Sequence, residues 1–121
     1  MSQYTLSNKA EDDISRIYDY SVNTHGVNHA EAYLVALHEA LVILAGSPNA
    51  GTSAEEIRKN YLKFPVNKHM VFYKKASDGI FVVRVLHQHM KYTLHIADWH
   101  SALMSSVQPN IQVKSESSGS V

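Results

Sequence analysis

The sequence predicts an α+β domain of order β-α-α-β-β-β, a helical hairpin packed on a small, mostly antiparallel sheet. Three observations carry this. Strand-like runs at 68–73 and 80–90 flank a Ser77-Asp78-Gly79 turn, which is hairpin chemistry. Apolar residues recur at helical spacing through two earlier segments separated by His25-Gly26. The chain has 121 residues, 45% of them hydrophobic, enough to bury one core.

Taken in order, Tyr4-Thr5-Leu6 is short and β-prone, and Ser7 suits the N-cap of a first helix. Ala10, Ile14, Ile17, Tyr18 and Ser21 mark that helix, with Glu11, Asp12 and Asp13 where the helix dipole favours negative charge. Gly26 suits a left-handed cap, and Asn28 is placed to cap the second helix. The apolar stripe there is Ala30, Tyr33, Leu34, Leu37, Leu41 and Leu44, stopped by Gly46-Ser47-Pro48. Ser53 with Glu56 matches a capping box, for one turn of helix at most. Residues 61–66 read as a strand whose Pro65 belongs at an edge or bulge.

The run from Ile80 is apolar at nearly every position, so it is expected to be a central strand covered on both faces. Arg84 interrupts it, and a charge there needs a partner or a use. Simple alternation puts Ile80, Val82, Arg84 and Leu86 on one face and Phe81, Val83, Val85 and His87 on the other. If the first set faces the helices, an acidic residue of helix one, such as Asp13, is the expected partner of Arg84. His87 is then expected on the opposite face.

The formal charge of zero hides an asymmetry. Residues 1–56 hold eight acidic side chains against two basic, a net of −6. Residues 57–91 hold eight basic against Asp78, a net of +7. Either the halves neutralise each other across the fold, or the basic half is open to an acidic partner. With no cysteine, disulfides and thiolate metal sites are excluded, and a reducing cytoplasm is the expected setting. No apolar run long enough for a membrane span is expected, and the N-terminus lacks signal-peptide features. His87 and His89 lie two apart, as a ligand pair would, but no further pair at a recognised spacing accompanies them. No metal and no cofactor is expected.

An ordered set of residues goes further. It runs Tyr4-Thr5-Leu6-Ser7, Ala10, Asp13-Ile14, Ile17 and Tyr20, then Gly26, Ala30, Tyr33, Leu37, Leu44, Pro48 and Gly51. It continues through Ile57-Arg58, His69 and Phe72-Tyr73 to Gly79-Ile80, Arg84-Val85-Leu86-His87 and Met90. Over residues 4–95 this set resembles the ParE branch of the ParE/RelE superfamily of bacterial toxins. The resemblance implies a toxin domain over 1–96 and says nothing of the extension over 97–121, where local pattern and composition lead to the expectation of a short helix at 97–104 and a tail without fixed structure.

It further implies the toxin of a type II toxin–antitoxin pair, of the kind found in plasmid-stabilisation modules. Such a toxin is neutralised by a cognate antitoxin in a hetero-oligomer and inhibits DNA gyrase by binding rather than as an enzyme. Direct binding to nucleic acid is not expected of this chain. Expected target contacts are Lys68, His69, His87, His89, Lys91 and Tyr92; Lys91 stands where the family often has an acidic residue. Expected antitoxin contacts are Tyr18, Tyr33, Leu37 and Arg58, along the seam between helical hairpin and sheet. Arg84 is expected to be a structural charge. The alternative is a RelE-like endoribonuclease that cleaves messenger RNA on the ribosome, drawing on His87 or His89, Tyr92, Lys63, Lys68 and Arg84 for acid, base and cation. His69 stands where that branch tends to carry a catalytic arginine.

Overall fold

Ser7 decides where the first strand stops and the first helix starts. In the computed structural model, which describes residues 3–88, its backbone is extended (φ −69°, ψ 163°) and its Oγ accepts from Ala10 N at 2.9 Å. The same hydroxyl donates to Val83 O at 2.7 Å. One buried side chain thus ends β1 (Gln3–Leu6), caps α1 (Asn8–His25) and ties both to the sheet.

Gly26 turns the chain with φ 92° and ψ 166°, a positive φ outside the left-handed helical region, and its N–H bonds Val22 O. It is also the N-cap of α2 (Val27–Gly46), so Asn28 lies inside the helix instead of capping it. Ala30, Leu37, Leu41, Leu44 and Ala45 of α2 are buried, whereas Leu34, predicted in the stripe, is 38% exposed at its flank. At 20 residues, α2 is by length and composition long and apolar enough to cross a membrane, contrary to expectation. Leu37, Leu41 and Leu44 on one side of it belong to the core, whereas Val27, Val35, Val42 and Ile43 are exposed.

A 3-10 turn at Pro48–Ala50 leads to β2 (Thr52–Ser53), β3 (Leu62–Val66), β4 (His69–Ala76) and β5 (Gly79–His87). The sheet runs β1-β5-β4-β3-β2, antiparallel except for the β1–β5 pair. The α+β class is the expected one, with two-residue β2 added at the edge. Ser53 belongs to β2 and its Oγ accepts from Glu55 N, so no capping box to Glu56 forms. Beyond Lys63, β3 has no outer neighbour among the described residues, and exposed Pro65 sits there, where a missing N–H breaks no ladder.

Every residue of β5 from Gly79 to Leu86 is buried. On one face Ile80, Val82 and Val85 join Val71 and Tyr73 under the helices. On the other, Phe81, Val83 and Leu86 pack with Phe72 beneath Ala54, Ile57 and Tyr61. The cover on that second face is the 54–61 segment. The hairpin corner is Ser77-Asp78, so Gly79 opens β5 one position later than an Asp-Gly corner would place it.

The register of β4 against β5 slips once. Tyr73 pairs with Val82 but Phe72 pairs with Arg84, leaving Val83 as an extra residue on β5. Such a β-bulge shifts the side-chain phase beyond it. Val85 therefore faces the helices, opposite to simple alternation, and His87 follows it to that side.

β1 covers only the first four residues of β5. Past Val82, side chains of the first helix and its cap stand in for the missing strand. Ser7 Oγ bonds Val83 O, and the Asp13 carboxylate accepts from Val85 N at 3.0 Å. Arg84 Nε and NH2 each reach that carboxylate at 2.8 Å. The ion pair Lys63–Glu56, at 3.2 Å, likewise joins the basic and acidic halves. His89, Lys91, Tyr92, the 97–104 helix and the tail lie outside the described residues.

Candidate functional site

A groove of about 950 Å³ opens where the ends of β4 and β5 meet the junction of the two helices. Its position follows from the elements just described. The two-residue turn Asn67-Lys68 joins β3 to β4, with Asn67 at φ 53°, a conformation that asparagine tolerates. That turn sets Lys68 and His69 on the groove wall. The bulge at Val83 brings His87 to the same wall, its ring 5.4 Å from that of His69.

From the helices come Arg16, Ile17 and Tyr20, then His25 and His29, whose rings lie 4.6 Å apart across Gly26. Tyr33 of α2 closes the inner end. Its hydroxyl donates to Val66 O at 3.3 Å and is hydrogen-bonded to His69 Nδ1. At the base sits the Asp13–Arg84 pair, with Arg16 3.7 Å from the same carboxylate.

The groove is cationic and largely apolar. Asp13 is the one carboxylate among its described lining residues, and it is committed to Arg84 and the Val85 N–H. Burial, reinforced by the neighbouring His87 and Lys68 and opposed by Asp13, lowers the His69 pKa to about 4. Burial also raises the Tyr33 hydroxyl. His69 is therefore neutral at pH 7 and available as an acceptor or donor, not as a fixed cation.

Against an unfolded value of 6.5, the lowered pKa means the unfolded chain binds more protons between pH 6.5 and about 4. The penalty is absent above pH 6.5, grows as the pH falls, and is complete near pH 4. Thermal melts over that window are expected to show falling stability, with a shallower fall in His69→Gln. An equally steep fall in the variant would locate the acid sensitivity elsewhere.

Of the residues singled out from sequence, Lys68, His69, His87 and Tyr33 converge here. Tyr18 is half-buried on α1 and does not line the groove. Leu37 is 2% exposed in the core, so it is not a surface contact in this fold. Arg58 lies in the segment covering the opposite face of the sheet. The expected antitoxin contacts thus do not form one surface. Sequence reasoning misses Arg16, Tyr20, His25 and His29 as groove residues, although their spacing across a Gly26 turn is a signal that could group them. Among the described residues no three histidines or carboxylates are gathered to hold a metal.

Residues 4–92 match the family described as the ParE toxin of the type II toxin–antitoxin system parDE. Toxin ParE1 of Mycobacterium tuberculosis (strain H37Rv) is 40% identical over 90 residues, 74% of this chain and 92% of that protein. Toxin ParE1 of Caulobacter vibrioides is 32% identical over 96 residues, 79% of this chain and 99% of that protein. A solved structure described as the chromosomal ParDE TA system from P. aeruginosa shares the fold, with a TM-score of 0.62 at 18% identity, covering 72% of this chain and 96% of that one. The family match spans all but the first residue of the described sheet and helices, and with it the whole groove; this chain belongs to the ParE toxins of type II toxin–antitoxin systems.

Proposed function

We propose that this toxin acts by stoichiometric binding to DNA gyrase through the groove, and that a cognate antitoxin neutralises it by occupying the same groove. The observation that carries this is convergence. Lys68, His69 and His87, expected to meet the target, and Tyr33, expected to meet the antitoxin, line one open cleft. Whatever fills the cleft covers both sets, so neutralisation needs no conformational change. Membership of the ParE family supports the choice of target. The exposed rim residues Lys68 and His87 can hydrogen-bond and attract an acidic surface, while Ile17 and Tyr20 supply apolar contact.

The test is a gyrase supercoiling reaction with purified toxin. Inhibition is expected, and Lys68→Glu is expected to weaken it by about tenfold or more, the scale of a lost interfacial charge contact. No inhibition at large excess would remove gyrase as the target. Ribosome-dependent cleavage of messenger RNA by the same preparation would replace binding with nuclease chemistry. Adding a cognate antitoxin is expected to restore supercoiling.

A further inference from the structure

Four of the chain's eight histidines line this one groove, as two ring-to-ring pairs on opposite walls. His25 and His29 are exposed at the helix junction, and His87 is exposed at the end of β5. We propose that the groove is a proton-linked docking site for an acidic, amphipathic peptide segment, whose carboxylates seat between the His25–His29 and His69–His87 pairs while its apolar residues lie on Ile17 and Tyr20. This rests on the groove being the docking face of an acidic antitoxin segment, and adds its control by pH.

The charges facing the site fix the direction. α1 presents Asp13, Arg16, Tyr20 and His25, and α2 presents His29 and Tyr33. The β3–β4 turn and β4 present Lys68 and His69, and β5 presents Arg84 and His87. With the imidazoles neutral, three cations against one carboxylate leave a net of +2; with all four protonated it is +6. In the empty groove, burial of His69 and its crowding by His87 resist protonation. A bound carboxylate reverses that balance by stabilising the imidazolium, so the complex holds more protons than its parts. Affinity must then rise as the pH falls, by up to about tenfold per pH unit for each proton taken up. Histidine is the side chain suited to this between pH 5 and 8.

A peptide is favoured over a nucleic-acid backbone by the apolar Ile17 and Tyr20 beside the imidazoles, and by a net charge that is small until protons arrive.

The experiment uses the full chain and a fluorescent probe, a helical Leu/Glu peptide of about four turns with leucines along one face, beside a twin carrying Gln for every Glu. Dissociation constants are measured from about pH 8 to about pH 6 at fixed salt, where glutamates stay ionised. The Glu peptide is expected to tighten about tenfold or more and the Gln twin to change little. His69→Gln/His87→Gln and, separately, His25→Gln/His29→Gln are expected to flatten the slope, with circular dichroism confirming their fold. The second pair is exposed, so it tests the idea even if the first fails to fold. A slope unchanged in both variants, an equal slope for the Gln twin, or no binding of the Glu peptide overturns the proposal. So does tighter, histidine-dependent binding of a single-stranded oligonucleotide in its place. Gyrase inhibition and its relief by a cognate antitoxin, both measured at constant pH, stand or fall independently of these results.

Discussion

Asp13→Ala is expected to be among the most damaging substitutions in this chain, costing about 3–5 kcal/mol, the usual result of removing one partner of a buried ion pair. Both side chains are almost wholly buried, at 4% and 6% exposure. Removing the carboxylate strands a buried guanidinium that makes two 2.8 Å bonds to it. It also removes the acceptor for Val85 N, on an edge of β5 that no strand covers among the described residues. A domain of this size has only about 5–15 kcal/mol in total, so the melting temperature is expected to fall by well over about 10 °C.

Asp13→Asn separates the two roles. It can still accept from Val85 N but meets Arg84 without charge, so a loss about half as large is expected. Arg84→Met with Asp13→Leu removes both charges and is expected to recover part of the single-variant loss, as buried pairs replaced by apolar residues often do. If Asp13→Ala cost less than about 1 kcal/mol, Arg84 would be held by something other than this pair. A fully stable Asp13→Ala protein with no gyrase inhibition would instead assign the pair to the groove's function.

What is legible in the sequence is what local chemistry writes. Ser7 as a cap, an amphipathic first helix and an apolar second one, the 68–90 hairpin and the need of Arg84 for an acidic partner each depend on a few neighbouring residues. The groove is half legible. Lys68, His69 and Tyr33 stand out, but simple alternation assigns His87 to the wrong face, because a bulge among consecutive valines at Val82-Val83 has no composition signal. The slip is decided by how the whole sheet packs, since Phe72 and Val83 both belong beneath the 54–61 segment while Val71 and Val85 belong beneath the helices. Leu37, expected at the antitoxin contact, lies in the core for a related reason. A helix stripe shows which residues are apolar but not how deep each one lies, and Leu34 and Leu37 differ in depth because α2 meets the sheet along one line.

Gly79→Ala is expected to match or exceed Asp13→Asn in cost, at roughly 3 kcal/mol or more, combining backbone strain with a direct clash. Gly79 has φ 153°, where side chains are rarely accommodated, and it sits opposite Gln3 in the parallel β1–β5 pair. A Cβ there would overlap the Gln3 carbonyl oxygen and lie 2.8 Å from Gln3 C and N. Backbone atoms of a paired strand cannot swing aside as a side chain would, so β1 must shift. That shift reaches further than four residues. Gln3 N bonds Asp78 O, Ser7 N bonds Val82 O, and Ser7 Oγ holds both Ala10 N and Val83 O. Moving β1 therefore loosens the cap of α1 and, through it, the approach of Asp13 to Arg84. Gly46→Ala provides the internal control, since nothing lies within 4 Å of where its Cβ would stand and its φ is ordinary. There alanine is expected to be neutral or stabilising by up to about 1 kcal/mol. Chemical denaturation of the two variants side by side checks the pair: equal stabilities would mean that β1 is not the anchor of the α1 cap.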